Sequence, residues 1–191
     1  MANNKNKLVA LIIACLSLQG CAVFVIGAGV GAATAAHDRR TLGAQVDDKT
    51  AASRISVALS EVEALKKQTS ITVQVFNGTA LLVGQAPSNE LIQLAQKTAG
   101  SVPNIKKLHN QIRLSQPIST SVAANDVWLA SKVKTQLLAD KRVDGLNIEI
   151  EVENGEVFLM GLVTSKEADV AVEITRNIVG VKQVIKAFEY L

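Results

Sequence analysis

The feature that most constrains this chain is a hairpin written twice. Ile148 to Val163 reads I-E-I-E-V-E-N-G-E-V-F-L-M-G-L-V. Ile148, Ile150 and Val152 alternate with Glu149, Glu151 and Glu153, the period of two of a strand with one dry and one wet face. Asn154-Gly155 follows, a dipeptide that accepts φ > 0 at both centres of a type I′ turn. Val157 to Met160 is then an apolar return strand, closed by Gly161. Ile71 to Ala86, I-T-V-Q-V-F-N-G-T-A-L-L-V-G-Q-A, repeats the pattern: Asn77-Gly78 precedes Asn154-Gly155 by 77 residues, and Gly84 precedes Gly161 by the same distance. A chain of 191 residues has room for one or two domains, and the duplication points to two.

The flanking segments repeat as well, so Asp48 to Leu114 and Asp126 to Leu191 align with single-residue adjustments. Each copy opens with a helix. Ala52, Ile55, Leu59 and Val62 lie at helical spacing in the first, and Ala130, Val133 and Leu137 match the leading three 78 residues later. A second helix follows each hairpin. Thr164 and Glu167 have the spacing of a capping box ahead of the apolar stripe Ala168, Ala171, Ile174 and Ile178. In the first copy Pro87-Ser88-Asn89-Glu90 starts the helix and Leu91, Leu94 and Ala95 continue it. An alternating strand ends each copy, through Ile105, Leu108, Asn110 and Ile112 or Val181, Val184, Lys186 and Phe188. The expected fold is α+β: two tandem αββαβ modules, each a small three-stranded mixed sheet covered on one face by two helices, because each helix has one apolar stripe. The expected boundaries are 47–114 for the first module, 115–124 for a linker and 125–191 for the second.

The N-terminus reads as an address. Lys5 and Lys7 precede an apolar run, Leu8 to Leu18, that is too short to span a bilayer and has the form of a secretory signal. It closes on Leu18-Gln19-Gly20-Cys21, which resembles the signal of bacterial lipoproteins, although Gln19 stands where a small residue is commoner. That resemblance implies a signal peptide over 1–20, lipidation of Cys21 and loss of Cys15 with the signal. Ala22 instead of Asp implies sorting to the outer membrane, lipid-anchored and facing the periplasm. Residues 21–46 read as a flexible lipidated tether with an r.m.s. reach on the order of 25–30 Å. His37, alone in that tether, is given no role.

The remaining chemistry is sparse. The formal charge of +3 falls to about +1 without Lys5 and Lys7, which is no basic footprint for nucleic acid. Residues 46–114 hold eight basic and five acidic side chains, and residues 125–191 hold eight and eleven, so the modules differ in sign. Cys15 and Cys21 both lie outside the modules. His37 and His109 are far apart, no phosphate loop opens a helix, and no nucleophile motif is present. The expectation is a protein that is not an enzyme, with no catalytic residues, cofactor, metal or small-molecule substrate. Glu149, Glu151 and Glu153 read as a solvated strand face, and Gly78, Gly84, Gly155 and Gly161 as turn or strand-end residues.

The element order, the Asn-Gly turn, the closing glycine and Gly180-Val181-Lys182-Gln183-Val184 resemble BON domains. Two such domains behind a lipoprotein signal resemble the dual-BON outer-membrane lipoproteins, over nearly the whole mature chain. Asn154 to Thr164, Gln45-Val46-Asp47-Asp48 and Asn125-Asp126 with Trp128 carry the likeness. Val102-Pro103-Asn104-Ile105 departs from it, lacking the Gly-Val of the second copy. The resemblance implies a non-enzymatic protein that binds anionic phospholipid through its second domain and supports outer-membrane integrity.

Positions that differ between the copies are where function is sought. Trp128 aligns with Thr50, Leu129 with Ala51 and Leu138 with Ser60. With Val133 facing the core, helix periodicity puts Ala130, Leu137 and Leu129 within about 60° of it and Trp128, Ser131, Thr135 and Leu138 opposite. Lys132 and Lys134 flank that outward side. An aromatic for the headgroup boundary and cations for phosphates suit an interfacial helix. The expected phospholipid-binding set is therefore Trp128, Leu129, Ser131, Lys132, Lys134, Thr135 and Leu138. The alternative is an adaptor whose BON domains dock an envelope protein partner, an assembly machine for outer-membrane proteins, with Trp128 as a hot spot.

Overall fold

A computed structural model describes residues 38–191. The expected signal peptide, Cys15, Cys21, His37 and all but the end of the expected tether lie outside the described residues. Arg39–Leu191 is one compact unit. In chain order it comprises α1 (Leu42–Glu61), α2 (Glu63–Gln68), β1 (Ser70–Phe76), β2 (Thr79–Ala86), α3 (Asn89–Gly100) and β3 (Lys107–Leu114). The second copy follows as α4 (Thr120–Ala139), a 3-10 turn (Gly145–Asn147), β4 (Ile148–Glu153), β5 (Glu156–Val163), α5 (Ser165–Arg176) and β6 (Gln183–Tyr190).

Both Asn-Gly turns are left-handed at both centres: φ is 50° and 80° at Asn77 and Gly78, and 51° and 77° at Asn154 and Gly155. Each turn joins an antiparallel pair, and the strand after the second helix adds in parallel, giving the orders β1-β2-β3 and β4-β5-β6. The fold is α+β, with two three-stranded mixed sheets. β2 and β5 run on past Gly84 and Gly161, which the sequence reading placed at strand ends. A Cβ at Gly84 would stand 1.9 Å from the Ser70 carbonyl oxygen, and one at Gly161 2.4 Å from that of Asn147. Glycine there admits a neighbouring strand instead of stopping its own.

Helix starts are set by side-chain caps. Thr41 accepts from the Ala44 N–H, Ser119 from Val122 and Ser88 from Leu91, and Thr164 with Glu167 completes the capping box. Two starts differ from expectation. α1 begins at Leu42, inside the stretch read as tether, and α4 at Thr120, inside the stretch read as linker. Both polar caps lie ahead of the apolar periodicity from which these two helices are read.

The strands next to the turns explain the assembly. In β2, Ala80 and Leu82 face the helices, where Ile55, Leu59, Leu91, Ala95 and Ala99 complete one core. In β5, Val157 and Leu159 do the same against Leu129, Val133, Leu137, Ala168 and Ala171. The alternate residues Leu81 and Val83 join Phe76 from the first domain, and Phe158 and Met160 join Ala187 from the second, in a third cluster between the two sheets. Both central strands are thus buried on both faces, which a near-continuous apolar run provides.

That arrangement corrects the reading of the glutamates. Glu149 is exposed, but Glu151 and Glu153 are half-buried against the other sheet. Glu151 accepts from the Gln74 amide at 2.9 Å and Glu153 from Gln85. Glu189 accepts from Asn77 and Thr79, and Arg113 pairs with Glu156 at 2.8 Å. Burial raises the Glu151 and Glu153 carboxyls above the usual carboxylate range, while their amide partners pull the other way.

Two outcomes follow for thermal melting. Gly155→Val puts a β-branched residue at φ 77° and should lower the second domain's stability by on the order of 1–2 kcal/mol, visible as a lower Tm. A carboxyl raised in the fold binds its proton more readily there than in the unfolded chain, so its contribution is lost as pH rises through the folded value. Acidification from neutral toward the ordinary carboxylate range should therefore favour the wild type over a variant without these two carboxyls, while His109 and Glu167, both lowered, act in the opposite sense in both proteins. Glu151→Gln with Glu153→Gln should raise the Tm at neutral pH, and its advantage over the wild type should shrink as the pH is lowered.

Candidate functional site

The outward face of α4 is positioned by one carboxylate. Asp126 is 6% exposed. It accepts from the backbone N–H of Asn154 at 2.6 Å and of Gly155 at 2.8 Å. Asp48 does the same for Asn77 and Gly78 at 2.6 and 2.8 Å. Two charge-assisted bonds to a left-handed turn fasten each first helix to its hairpin, while Leu129, Val133 and Leu137 bury the adjoining stripe. With α4 fixed about its axis, Trp128, two residues on and about 200° away, faces solvent.

The expected site residues divide accordingly. Trp128 is 62% exposed and Leu138 51%, and Ser131 and Thr135 are exposed on the same side. Both hydroxyls donate to carbonyls one helical turn back, Ser131 to Val127 and Thr135 to Ser131. Lys132 lies with Nζ 3.9 Å from the Trp128 ring centroid and donates to the Val179 carbonyl at 2.9 Å. An ammonium has three donors, so Lys132 keeps capacity for an anion beside the ring.

Two residues do not join this face. Leu129 is 4% exposed and belongs to the second domain's core. Lys134 turns inward and donates to the carbonyls of Gly145 at 2.9 Å and Ile148 at 2.8 Å. Burial lowers its pKa, opposed by Glu149 and Asp144. Its role is to clamp the 3-10 turn to the helix, and helical periodicity could not show those carbonyls approaching it.

The reading also missed neighbours from distant sequence. Val179, in the loop after α5, is 85% exposed, and Val127 is 70% exposed beside Trp128. A concavity of about 740 Å³ runs along the helix between Trp128, Lys132, Thr135, Arg142, Ile178 and Val179. Arg142 is engaged there by Asp140 at 2.8 Å and Glu173 at 3.5 Å. A second concavity, about 400 Å³, lies on the other side of Trp128 against Lys132, Lys182 and the Asn154-Gly155 turn. The site is thus an exposed apolar ridge with a cation on its aromatic and hollows on both flanks. Among the described residues no cluster of His, Cys, Asp or Glu could hold a metal ion. No helix among them is long and apolar enough to cross a membrane.

The match to a known family agrees with this architecture. The BON domain profile matches residues 47–116 and 125–191. The chain belongs to the BON-domain family and carries two copies of the domain. It is 38% identical over 186 residues to the outer membrane lipoprotein DolP of Haemophilus influenzae, covering 97% of this chain and 96% of that one. It is 36% identical over 154 residues to a 21 kDa hemolysin of Actinobacillus pleuropneumoniae, covering 81% and 79%. Among solved structures, the C-terminal domain of CdsD, a structural protein of the type III secretion system of Chlamydia trachomatis, aligns with a TM-score of 0.30 at 18% identity, covering 75% of this chain and 67% of that one.

The division of the two lysines has a measurable consequence. Lys134→Gln should lower the Tm of the second domain, since a neutral amide cannot replace charge-assisted bonds worth roughly 1.5–3 kcal/mol each. Lys132→Gln should leave the Tm close to wild type.

Proposed function

We propose that this is an outer-membrane lipoprotein whose second BON domain rests on anionic phospholipid through the outward face of α4. Cys21 carries the lipid, the folded part faces the periplasm, and the protein supports outer-membrane integrity. The observation that carries the reading is Trp128, held outward by the frame that buries Asp126 and Leu129, with Lys132 over its ring. Inserting such a side chain is worth roughly 1.5–3 kcal/mol. A lysine at an anionic surface adds about 1 kcal/mol. Trp128, Val127, Val179 and Leu138 form the apolar contact, Ser131 and Thr135 lie between them, and Lys132 meets the phosphate. Leu129 and Lys134 are left out of the contact because both are turned inward.

The likeness to a protein named as an outer membrane lipoprotein supports the location, and Leu18-Gln19-Gly20-Cys21 supports the anchor. Cys21→Ala should yield protein that no longer incorporates labelled fatty acid; a mature wild-type N-terminus without lipid, read by mass analysis, would end this part. Unlipidated chain from Ala22 onward, titrated with vesicles of rising anionic content, should bind increasingly and lose binding as salt rises. Trp128→Glu should abolish binding at unchanged Tm, and Lys132→Gln should weaken it and flatten its salt dependence. Wild-type protein that ignores pure lipid vesicles would favour the adaptor reading, in which Trp128 meets a protein.

A further inference from the structure

Arg39 lies three residues before α1 of the first domain, yet it is fastened to the second. Its Nη1 and Nη2 donate to the two carboxylate oxygens of Glu167 at 2.9 and 2.7 Å, and Nη1 also reaches the Leu162 carbonyl at 2.9 Å. Its backbone N–H donates to Asn147 Oδ1 at 3.2 Å. The next residue holds the other domain. Arg40, its side chain 8% exposed, pairs with Asp48 at 2.9 Å and lies 3.8 Å from the centroid of the Phe76 ring. It also reaches Glu149 of the second domain at 3.6 Å.

An isolated surface ion pair contributes little, but this one is a bidentate fork with two backbone bonds beside it and a carboxylate only 15% exposed. Glu167 is held down to about 2, first by its hydrogen bond from Arg39, so the pair persists throughout neutral and mildly acidic conditions. Glu167 shares a hollow of about 510 Å³ with Leu138, Arg142 and Leu146. Arg39 therefore docks on the second domain against Glu167, which borders the hollow at the C-terminal end of α4.

We propose that Arg39 and Glu167 are positioning residues: they make the chain arriving from the anchor join the folded part on the second domain, beside α4, so that this domain and not the first is presented to the bilayer. The proposal rests on the reading of Cys21 as the anchor. Eighteen peptide steps separate Cys21 from Arg39, a span of at most about 60 Å. Within that span, the place where the chain joins the described fold biases which surface meets the membrane.

Two measurements test this. Trypsin requires a free arginine side chain, so cleavage after Arg39 in the unlipidated chain should be slow. Glu167→Gln keeps an N3 capping residue but removes the charge; it should speed that cut by about tenfold, with a modest fall in the Tm of the folded unit and with cleavage inside the sheets as slow as in wild type. In the full lipid-anchored chain on anionic vesicles containing brominated phospholipid, Trp128, the single Trp of the sequence, should be quenched. Arg39→Glu should at least halve that quenching, yet leave vesicle binding by the unlipidated chain at the wild-type level. Equal cleavage rates in wild type and Glu167→Gln, or anchored Arg39→Glu quenched like wild type, would overturn the positioning role. Wild-type Trp128 that escapes quenching in both the anchored and unlipidated forms would overturn the membrane contact itself.

Discussion

The carboxylate of Asp126 on the N–H groups of Asn154 and Gly155 is the interaction on which the outward surface depends. An Asn-Gly turn with φ > 0 at both centres directs two adjacent N–H groups to one side, and a buried carboxylate is well matched to them. Because Asp126 belongs to α4, satisfying the turn also sets the rotation of the helix. Leu129, Val133 and Leu137 then reach the core, and Trp128 cannot. The first domain shows that the frame is generic. Asp48 makes the same pair of bonds, while Thr50, at the position of Trp128, donates to the Val46 carbonyl at 2.8 Å. One frame carries a polar residue in one copy and an exposed aromatic in the other.

The charge difference between the domains has an internal explanation. Glu151, Glu153, Glu156 and Glu189 all meet side chains of the first domain, and Glu149 and Glu167 meet Arg40 and Arg39. Six of the eleven acidic side chains that make residues 125–191 negative are therefore directed at the rest of the chain. The negative sum is not a field spread evenly over the surface. Low local dielectric strengthens the amide–carboxylate bonds between the sheets and also makes charge costly to bury, and at Glu151 and Glu153 that burial pushes the carboxyl toward its protonated form.

Period-two alternation, the Asn-Gly turns and the Thr164–Glu167 box were legible because each is a local rule. Trp128 and Leu138 were legible as outward residues because α4 is long and its apolar stripe regular. Other features required tertiary contact. Asp126 appears in the sequence only as the start of a module, and nothing local ties it to a turn 28 residues on. Lys134 occupies an outer edge by angle, yet its stem lets the ammonium bend to carbonyls at Gly145 and Ile148. Val179 is an unremarkable loop valine until folding sets it beside Lys132. One signal was present and went unused: V-F-L-M and A-L-L-V are unbroken apolar runs, which imply burial on both strand faces and hence a partner sheet.

The proposed contact is weak by construction, and its weakness suits an anchored protein. One aromatic at roughly 1.5–3 kcal/mol and one lysine at about 1 kcal/mol give a Kd from about 1 mM to above 10 mM, since 1 mM requires about 4.1 kcal/mol. Free in solution, such a domain would seldom be bound. Joined to an acyl anchor by a short span, it meets the bilayer at an effective concentration that is itself on the order of millimolar. At the strong end of that range affinity and effective concentration would nearly match, and occupancy would sit near its midpoint. At the midpoint, occupancy responds most steeply to a change of a few tenths of a kcal/mol, which is the scale of a modest change in anionic lipid. Retention would come from the acyl chains, sensitivity from Trp128 and Lys132, and the exit point at Arg39 would decide whether the two act on the same surface.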